Sequence, residues 1–367
     1  MRILHVITSL RIGGAEKLMT EMLPRMRKQG EEVELCVFDG VRTPFYEELE
    51  RRGVVIHVLG KSVYSPLHVF RLLVLVRKYD VVHTHNTACQ YYVAMASVFA
   101  KCRLVTTEHN TANRRRNIWW KWCDRWMYGR YGKVLCISEL VKKNLIRHVG
   151  ARFEGKCEVV YNGIDVNSYK NSCQLCVKLS AMKRILMVSA FRKQKDHKTL
   201  IQAFALLPQD YELVLAGGGE QFLIDECVSL AERIGLRDRI KFLGIRTDVA
   251  ELLKAADVVV LSSHYEGLSL SSLEGMASGK PFIASDVEGL RDIVGGYGIL
   301  FPHEDYKALA SEIRRVCEDE DYCNEVVRKC QERARMFDIS VMVRKYMDVY
   351  KYGHVLNDGE DGEVAIV

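Results

Sequence analysis

Short apolar runs alternate with longer amphipathic segments along almost the whole chain, and this alternation restricts what the chain can fold into. The runs Ile3–Ile7, Val33–Phe38, Val54–Leu59, Val81–Thr84, Leu104–Thr107 and Val134–Ile137 read as strands covered on both faces. Segments with helical spacing separate most of them, among them Pro66–Lys78 and Gln90–Ala100. Strands joined by helices run parallel through right-handed crossovers, so this half predicts a doubly wound sheet. A second set follows, with strands at Ile185–Val188, Leu213–Ala216, Ile240–Leu243, Val258–Leu261, Pro281–Ala284 and Gly298–Pro302. At 367 residues the chain is long for one domain, and two α/β domains of Rossmann-like type are expected.

Composition narrows the class further. Charged residues make up 27% and apolar residues 48%, ordinary values for a globular protein. No apolar run approaches the ~20 residues of a spanning helix, and the opening Met-Arg-Ile-Leu-His-Val-Ile reads as a strand rather than a signal peptide. Twelve scattered Cys, with one lone Cys-x-x-Cys at Cys173 and Cys176, imply reduced structural thiols and a cytoplasmic protein. Charge is uneven. Residues 1–165 carry 27 Lys/Arg against 16 Asp/Glu, whereas residues 166–367 carry 26 against 31. A basic first half suits contact with an anionic surface.

Strand ends are where such folds bind ligands. Gly13-Gly14 follows the first strand and lacks the Gly-x-Gly-x-x-Gly spacing of a dinucleotide site. His109 closes the polar tail of another strand, and Ser138, at the end of a further one, is a candidate substrate contact that a plain helix N-cap role explains equally well. In the second half, the basic loop Ala190-Phe-Arg192-Lys-Gln-Lys195-Asp-His197 leaves the first strand and suits a diphosphate. Ala216-Gly-Gly218-Gly-Glu and Gly244-Ile245-Arg246 leave the next two. The richest stretch is His264 to Gly279. Glu266 lies in its loop, and Gly267, Leu268, Ser269 and Leu270 lead to a helix start whose free N–H groups suit a phosphate. Glu274 follows about two turns later, so the two carboxylates can reach two parts of one long ligand.

Two Glu separated by seven residues, then a small residue, Gly and Pro, resemble the donor-sugar motif of family 4 glycosyltransferases, of the bacterial polysaccharide type known as group 1. Gly13-Gly14-Ala-Glu, His109, Asn162-Gly-Ile-Asp165, Lys195-Asp-His and the Gly217–Gly219 turn appear in the same order, and the resemblance covers about residues 1–350. It implies a GT-B fold: residues 1–165 as an N-terminal acceptor domain, 166–183 as a linker and 184–339 as a nucleotide-sugar domain facing it across a central cleft. Residues 340–352 would form a helix crossing back to the first domain, followed by an acidic tail at 353–367, expected to be disordered. The implied activity is transfer of a hexosyl or N-acetylhexosaminyl group from a UDP- or GDP-sugar to an acceptor hydroxyl, with retention and without a metal or other cofactor.

By the same resemblance, Glu266 and His109 meet the donor sugar, and Lys195 and Arg192 neutralise the departing diphosphate. Glu274 holds the ribose, Gly13 and Gly14 approach donor and acceptor, and Gly244, Ile245 and Arg246 read the base through the backbone. The family register places Arg at position 190, where this chain has Ala, so Arg192 would act from two residues along. The implied acceptor is a glycan or a polyprenyl-pyrophosphate-linked sugar of capsule, exopolysaccharide or O-antigen synthesis. Two alternatives share the fold: a nucleotide-sugar 2-epimerase, and a non-catalytic glycosyltransferase-like subunit.

Residues Arg114–Arg130 combine Arg114-Arg115-Arg116 with all four Trp. Trp119, Trp122, Cys123, Trp126 and Met127 share helical spacing and read as a stripe turned to the core, leaving Trp120 and the arginines outside. Such a segment suits the inner face of an anionic membrane or a pyrophosphate-linked acceptor. A nucleic-acid partner is not expected, because no binding module is recognisable.

Overall fold

The computed structural model describes residues 1–11, 13–109, 120–170 and 182–356. These divide into two compact units, Met1–Gly163 with the segment from Ile339 onward, and Ile164–Asp338.

Unit 1 runs β1 (Arg2–Ile7), α1 (Gly14–Lys28), β2 (Glu32–Asp39), α2 (Pro44–Arg51), β3 (Ile56–Gly60), α3 (Leu67–Val76), β4 (Val81–Thr84), α4 (Thr87–Ala96), β5 (Arg103–Glu108), α5 (Lys121–Arg130), β6 (Lys133–Cys136), α6 (Glu139–Val149) and β7 (Cys157–Val159). Its sheet is ordered β3-β2-β1-β4-β5-β6-β7. Every pairing between these strands is parallel. The central strands bury nearly every residue, which is why they read as unbroken apolar runs.

Unit 2 runs α7 (Val166–Lys170), β8 (Lys183–Val188), α8 (His197–Phe204), β9 (Tyr211–Ala216), α9 (Gln221–Arg233), β10 (Ile240–Phe242), α10 (Val249–Ala255), β11 (Val258–Leu261), α11 (Leu270–Ala277), β12 (Phe282–Ser285), α12 (Leu290–Val294), β13 (Ile299–Phe301), α13 (Tyr306–Glu318) and α14 (Glu320–Arg335). Its sheet is ordered β10-β9-β8-β11-β12-β13, again wholly parallel. Side-chain caps start several helices: Thr43 accepts from Tyr46 N–H, Ser138 from Val141 N–H and Asp196 from Thr199 N–H.

The last helix, α15 (Ile339–Tyr352), belongs to unit 1, where it packs on α1. It buries Ile339, Met342, Val343, Tyr346, Met347, Val349 and Tyr350 in the core built from β1, β2 and α1. Burial of each large apolar side chain is worth roughly 1.5–3 kcal/mol, so this helix is a major part of that core.

Local departures from the sequence reading have simple causes. The stretch after Asp165 begins with the short helix α7 rather than irregular chain, because Val166 and Tyr169 supply a buried pair at helical spacing. The helix expected from Gln90 starts three residues earlier, at Thr87 after Asn86, and is followed by a 3-10 turn. The larger correction concerns α5. Trp122 is 72% and Trp126 47% exposed, and Cys123 is exposed as well; among the described residues of the expected stripe only Met127 is buried. The inner face is instead Asp124, Met127 and Tyr128. Asp124 anchors it by accepting from Tyr91 Oη and pairing with His148 Nε2 at 2.7 Å. This buried polar anchor turns the helix so that its tryptophans face outward. Trp119, Arg114–Arg116, Cys173, Cys176 and residues 357–367 lie outside the described residues.

Candidate donor site in unit 2

In a sheet of this order, the chain diverges to opposite sides at β8 and β11, and ligands bind beyond the carboxyl ends of the strands at that point. The loops leaving these two strands carry Lys195 and Glu266. Their side chains form a nearly buried ion pair, Nζ to Oε1. Two further donors hold the same carboxylate: Gln194 Nε2 reaches Oε2 at 2.9 Å, and Ser263 Oγ reaches Oε1 at 2.8 Å. Backbone contacts fix the two loops together, since His264 N–H donates to Gln194 O at 2.8 Å and Gln194 Nε2 also reaches Tyr265 O. Glu266 is therefore oriented by three side chains before any ligand arrives. The sequence reading missed Gln194 and Ser263. Gln194 adjoins Lys195 in the basic loop, and its neighbourhood was the only signal available.

Arg192 stands one turn before Lys195, which donates its N–H to Arg192 O at 2.8 Å. The Arg192 side chain is exposed, and the structure does not bring it to Glu266. Behind this loop, His197 stacks on Phe191 with centroids 4.0 Å apart and meets Ser189 Oγ at 3.0 Å. Burial and the neighbouring Lys195 hold its imidazole down to about 4, so it stays neutral and structural.

The glycine turn after β9 is a matter of space. A Cβ on Gly217 would lie 1.9 Å from Ser189 O, and one on Gly219 would lie 2.2 Å from Phe191 O. The two loops touch backbone to backbone, which only Gly permits. Gly218, Gly244 and Ile245 belong to the same cluster: Gly217 N–H donates to Gly244 O at 2.8 Å, and the Ile245 side chain lies over Gly218. Arg246 is exposed and paired with Asp248. The loop after β12 closes on the same place, because Gly289, at φ +90°, would push a Cβ to 2.3 Å from Glu266 O.

Gly267 and Leu268 are buried beside Glu266, and Ser269 and Leu270 begin α11. No side chain caps that start, so its first N–H groups and positive dipole face outward from the loop. Glu274 is buried on the second turn of α11. Unit 2 thus gathers a cation, an oriented carboxylate, glycine-lined backbone and a helix start within one set of strand ends.

Unit 1 places its candidates differently. Gly13 caps α1 with extended backbone, and its missing Cβ leaves room for Glu16 Oε2 2.3 Å away. Gly14 is exposed. Ser138 is buried and occupied as the α6 cap. His109 follows β5 and its Nε2 meets His85 Nδ1 at 3.3 Å; His85 Nε2 in turn meets His5 Nδ1 at 2.9 Å. His83 contacts Tyr350 Oη through Nδ1 and Thr107 Oγ1 through Nε2, and Thr107 meets Tyr346 Oη at 3.0 Å. The sheet register creates this row, pairing His5 with His83 across β1 and β4. Desolvation holds every ring neutral, His5 down to about 3 and His109 down to about 4, with His83 and His85 also well below their ordinary value. Through this contact the tautomer of His109 is coupled to that of His85.

Comparison with known proteins agrees with this arrangement. The family model for glycosyltransferase family 4 matches residues 12–168, and that for glycosyl transferases group 1 matches residues 178–336. An N-acetyl-alpha-D-glucosaminyl L-malate synthase of Bacillus anthracis is 27% identical, covering 96% of this chain and 97% of its own. A UDP-Gal:alpha-D-GlcNAc-diphosphoundecaprenol alpha-1,3-galactosyltransferase of Escherichia coli is also 27% identical, over 85% of this chain and 84% of its own. The crystal structure of Anabaena HepE in complex with UDP superposes with a TM-score of 0.83 at 24% identity, covering 95% of this chain and 99% of that one, and so shares the fold. The two family models between them span most of the chain, and the protein is a GT-B glycosyltransferase of the family 4, group 1 type.

Proposed function

We propose that the protein transfers a hexosyl or N-acetylhexosaminyl group from a nucleoside-diphosphate sugar to a glycan carried on a polyprenyl pyrophosphate, with retention and without a metal in the reaction. The observation that carries this reading is the Lys195–Glu266 pair at the strand switch point, set among glycine turns and an open helix start. Lys195 and the α11 N–H groups neutralise the departing diphosphate, an electrostatic role that such groups fill when aimed in advance at the developing charge. Glu266, held by Gln194 and Ser263, accepts sugar hydroxyls, and Glu274 accepts from the ribose. His109, kept neutral, offers a hydrogen bond to the sugar from its remaining nitrogen. A relative named for UDP-Gal and for a diphosphoundecaprenol-linked acceptor supports a UDP-sugar donor and a lipid-linked acceptor.

The test is a thermal-shift panel of nucleotides and nucleotide sugars in chelator, on wild type and Glu274→Ala. Stabilisation by UDP-sugars that is lost in the variant is expected; no response across the panel from folded protein would sink the donor assignment.

A lipid-linked acceptor requires contact with a membrane surface, and the outward tryptophans of α5 support peripheral docking on an anionic leaflet. Arg125 lies over the Trp122 ring at 5.3 Å. α5 packs on α4, and α4 on α3, whose outer face exposes Leu67, Phe70 and Val74. The stretches 61–78, 87–103 and 120–133 hold ten Lys and Arg against one acid, the buried Asp124. No helix among the described residues is long and apolar enough to span a bilayer, so this reading is of a surface contact. Trp122→Ser with Trp126→Ser should reduce sedimentation with phosphatidylglycerol vesicles several-fold; unchanged sedimentation counts against the surface.

A further inference from the structure

Beside the Glu266 loop, three potential ligand atoms converge from two different strand ends. His264 follows β11, and His303 and Glu304 follow β13. His264 Nδ1 is 3.0 Å from His303 Nε2 and 3.2 Å from Glu304 Oε1, and His303 Nε2 is 3.7 Å from the same oxygen. The three separations join the same three atoms. A triangle with these sides has a circumradius of about 1.9 Å. A cation about 0.8 Å off its plane would therefore stand about 2.1 Å from each atom, the bond length of Zn–N and Zn–O.

The backbone supplies an independent observation. Asp305 N–H donates to Pro302 O at 3.0 Å, closing a tight turn whose third residue is Glu304 at φ +63°. Glu304 is the only non-glycine residue with positive φ among the described residues. Turns with positive φ at this position favour Gly. A Glu held there incurs strain that Gly would avoid, and such strain gathers where the side chain is used.

We propose that His264, His303 and Glu304 bind one divalent transition metal of the zinc class, leaving its remaining positions to water. Two imidazoles and a carboxylate favour zinc, nickel or cobalt over magnesium or calcium, which prefer oxygen-only sets. The metal stands off the reacting centre and supplies no chemistry to the transfer. Its effect is to tie the β13 turn to His264, whose backbone N–H already holds Gln194, and so to brace the loop that presents Glu266. The buried group His5, His83 and His85 differs in its surroundings. Both ring nitrogens of His83 and of His85 are already engaged there.

Zinc binding does not depend on the transfer reaction, and the readouts are independent of activity. Chelator-treated, tag-free full-length protein is titrated with zinc chloride by calorimetry and followed by thermal unfolding, with magnesium chloride as control. Wild type is expected to gain a few degrees in Tm with zinc and none with magnesium. His303→Ala and Glu304→Gly should each bind one fewer equivalent of zinc, or bind it at least about tenfold more weakly, and lose most of that gain. Glu304→Gly should also raise the Tm of the metal-free protein, since Gly suits φ +63°, which shows that it folds. Undiminished zinc stoichiometry and shift in either variant, or an equal shift with magnesium, would overturn the proposal.

Discussion

At the switch point of unit 2, a lysine and a glutamate pair across the loops leaving β8 and β11, with Gln194 and Ser263 holding the carboxylate. At the equivalent point of unit 1, between β1 and β4, the sheet places His5 against His83 and continues through His85 to His109. The strand orders around these points match, yet one site is built from full charges and the other from neutral rings. The difference follows from what covers each. The histidine row lies under α15, whose Tyr346 and Tyr350 join it, and burial there excludes a charge without a partner. The lysine and glutamate are nearly buried too, but each is the other's partner. A charged site can compensate a departing diphosphate, whereas a neutral one can orient hydroxyl groups without competing for that charge.

The largest expected effect breaks the charged side of this comparison. Lys195→Ala should lower kcat by about 10²–10³-fold, the scale of losing one aimed electrostatic partner, while the fold persists by circular dichroism. An enzyme with normal turnover would remove Lys195 from diphosphate stabilisation. Gly219→Ala comes next, because its Cβ would meet Phe191 O at 2.2 Å. Displacing that backbone should cost about 1–3 kcal/mol, read from the urea midpoint, and weaken nucleotide binding.

On the neutral side, Tyr350→Phe leaves His83 Nδ1 buried without its partner and should cost about 1–3 kcal/mol. An unchanged midpoint would show that the contact contributes nothing. Acid should probe the same row through its protonation. The folded pKa values of His5 and His109, about 3 and about 4, lie below the ordinary 6.5, so the unfolded chain binds more protons between them. Stability is therefore complete above pH 6.5 and falls progressively as pH drops toward 4, and replacing His5 with Gln should flatten that slope. A pH-independent midpoint over this window would contradict neutral burial. The smallest effect is at Ser138, whose replacement by Ala should cost about 1 kcal/mol through loss of the α6 cap, with little change in turnover.

Legibility differed between these regions for physical reasons. Lys195, Glu266 and the glycine turns stand at strand-to-helix junctions, where local pattern already says that the chain approaches a ligand. His83 and His85 sit inside and just after an apolar strand, and nothing local marks them; they meet His5 and His109 only through register across three strands. The α5 tryptophans failed for a related reason. Helical spacing identified a stripe, but burial of Asp124 against Tyr91 and His148 decided which stripe faces inward.

The amino-acid sequence by itself determined the two α/β bodies, because apolar runs buried on both faces and separated by amphipathic segments permit little except parallel sheets with helical crossovers. It also determined the sugar-transfer family, since the motif residues lie at fixed spacings along single loops. Tertiary structure alone decided how Glu266 is held, which way α5 turns, that α15 roofs the histidine row, and that His264 meets His303 and Glu304. Each of these depends on contacts between residues far apart in the chain, whose distances are set by sheet register and packing rather than by any local preference.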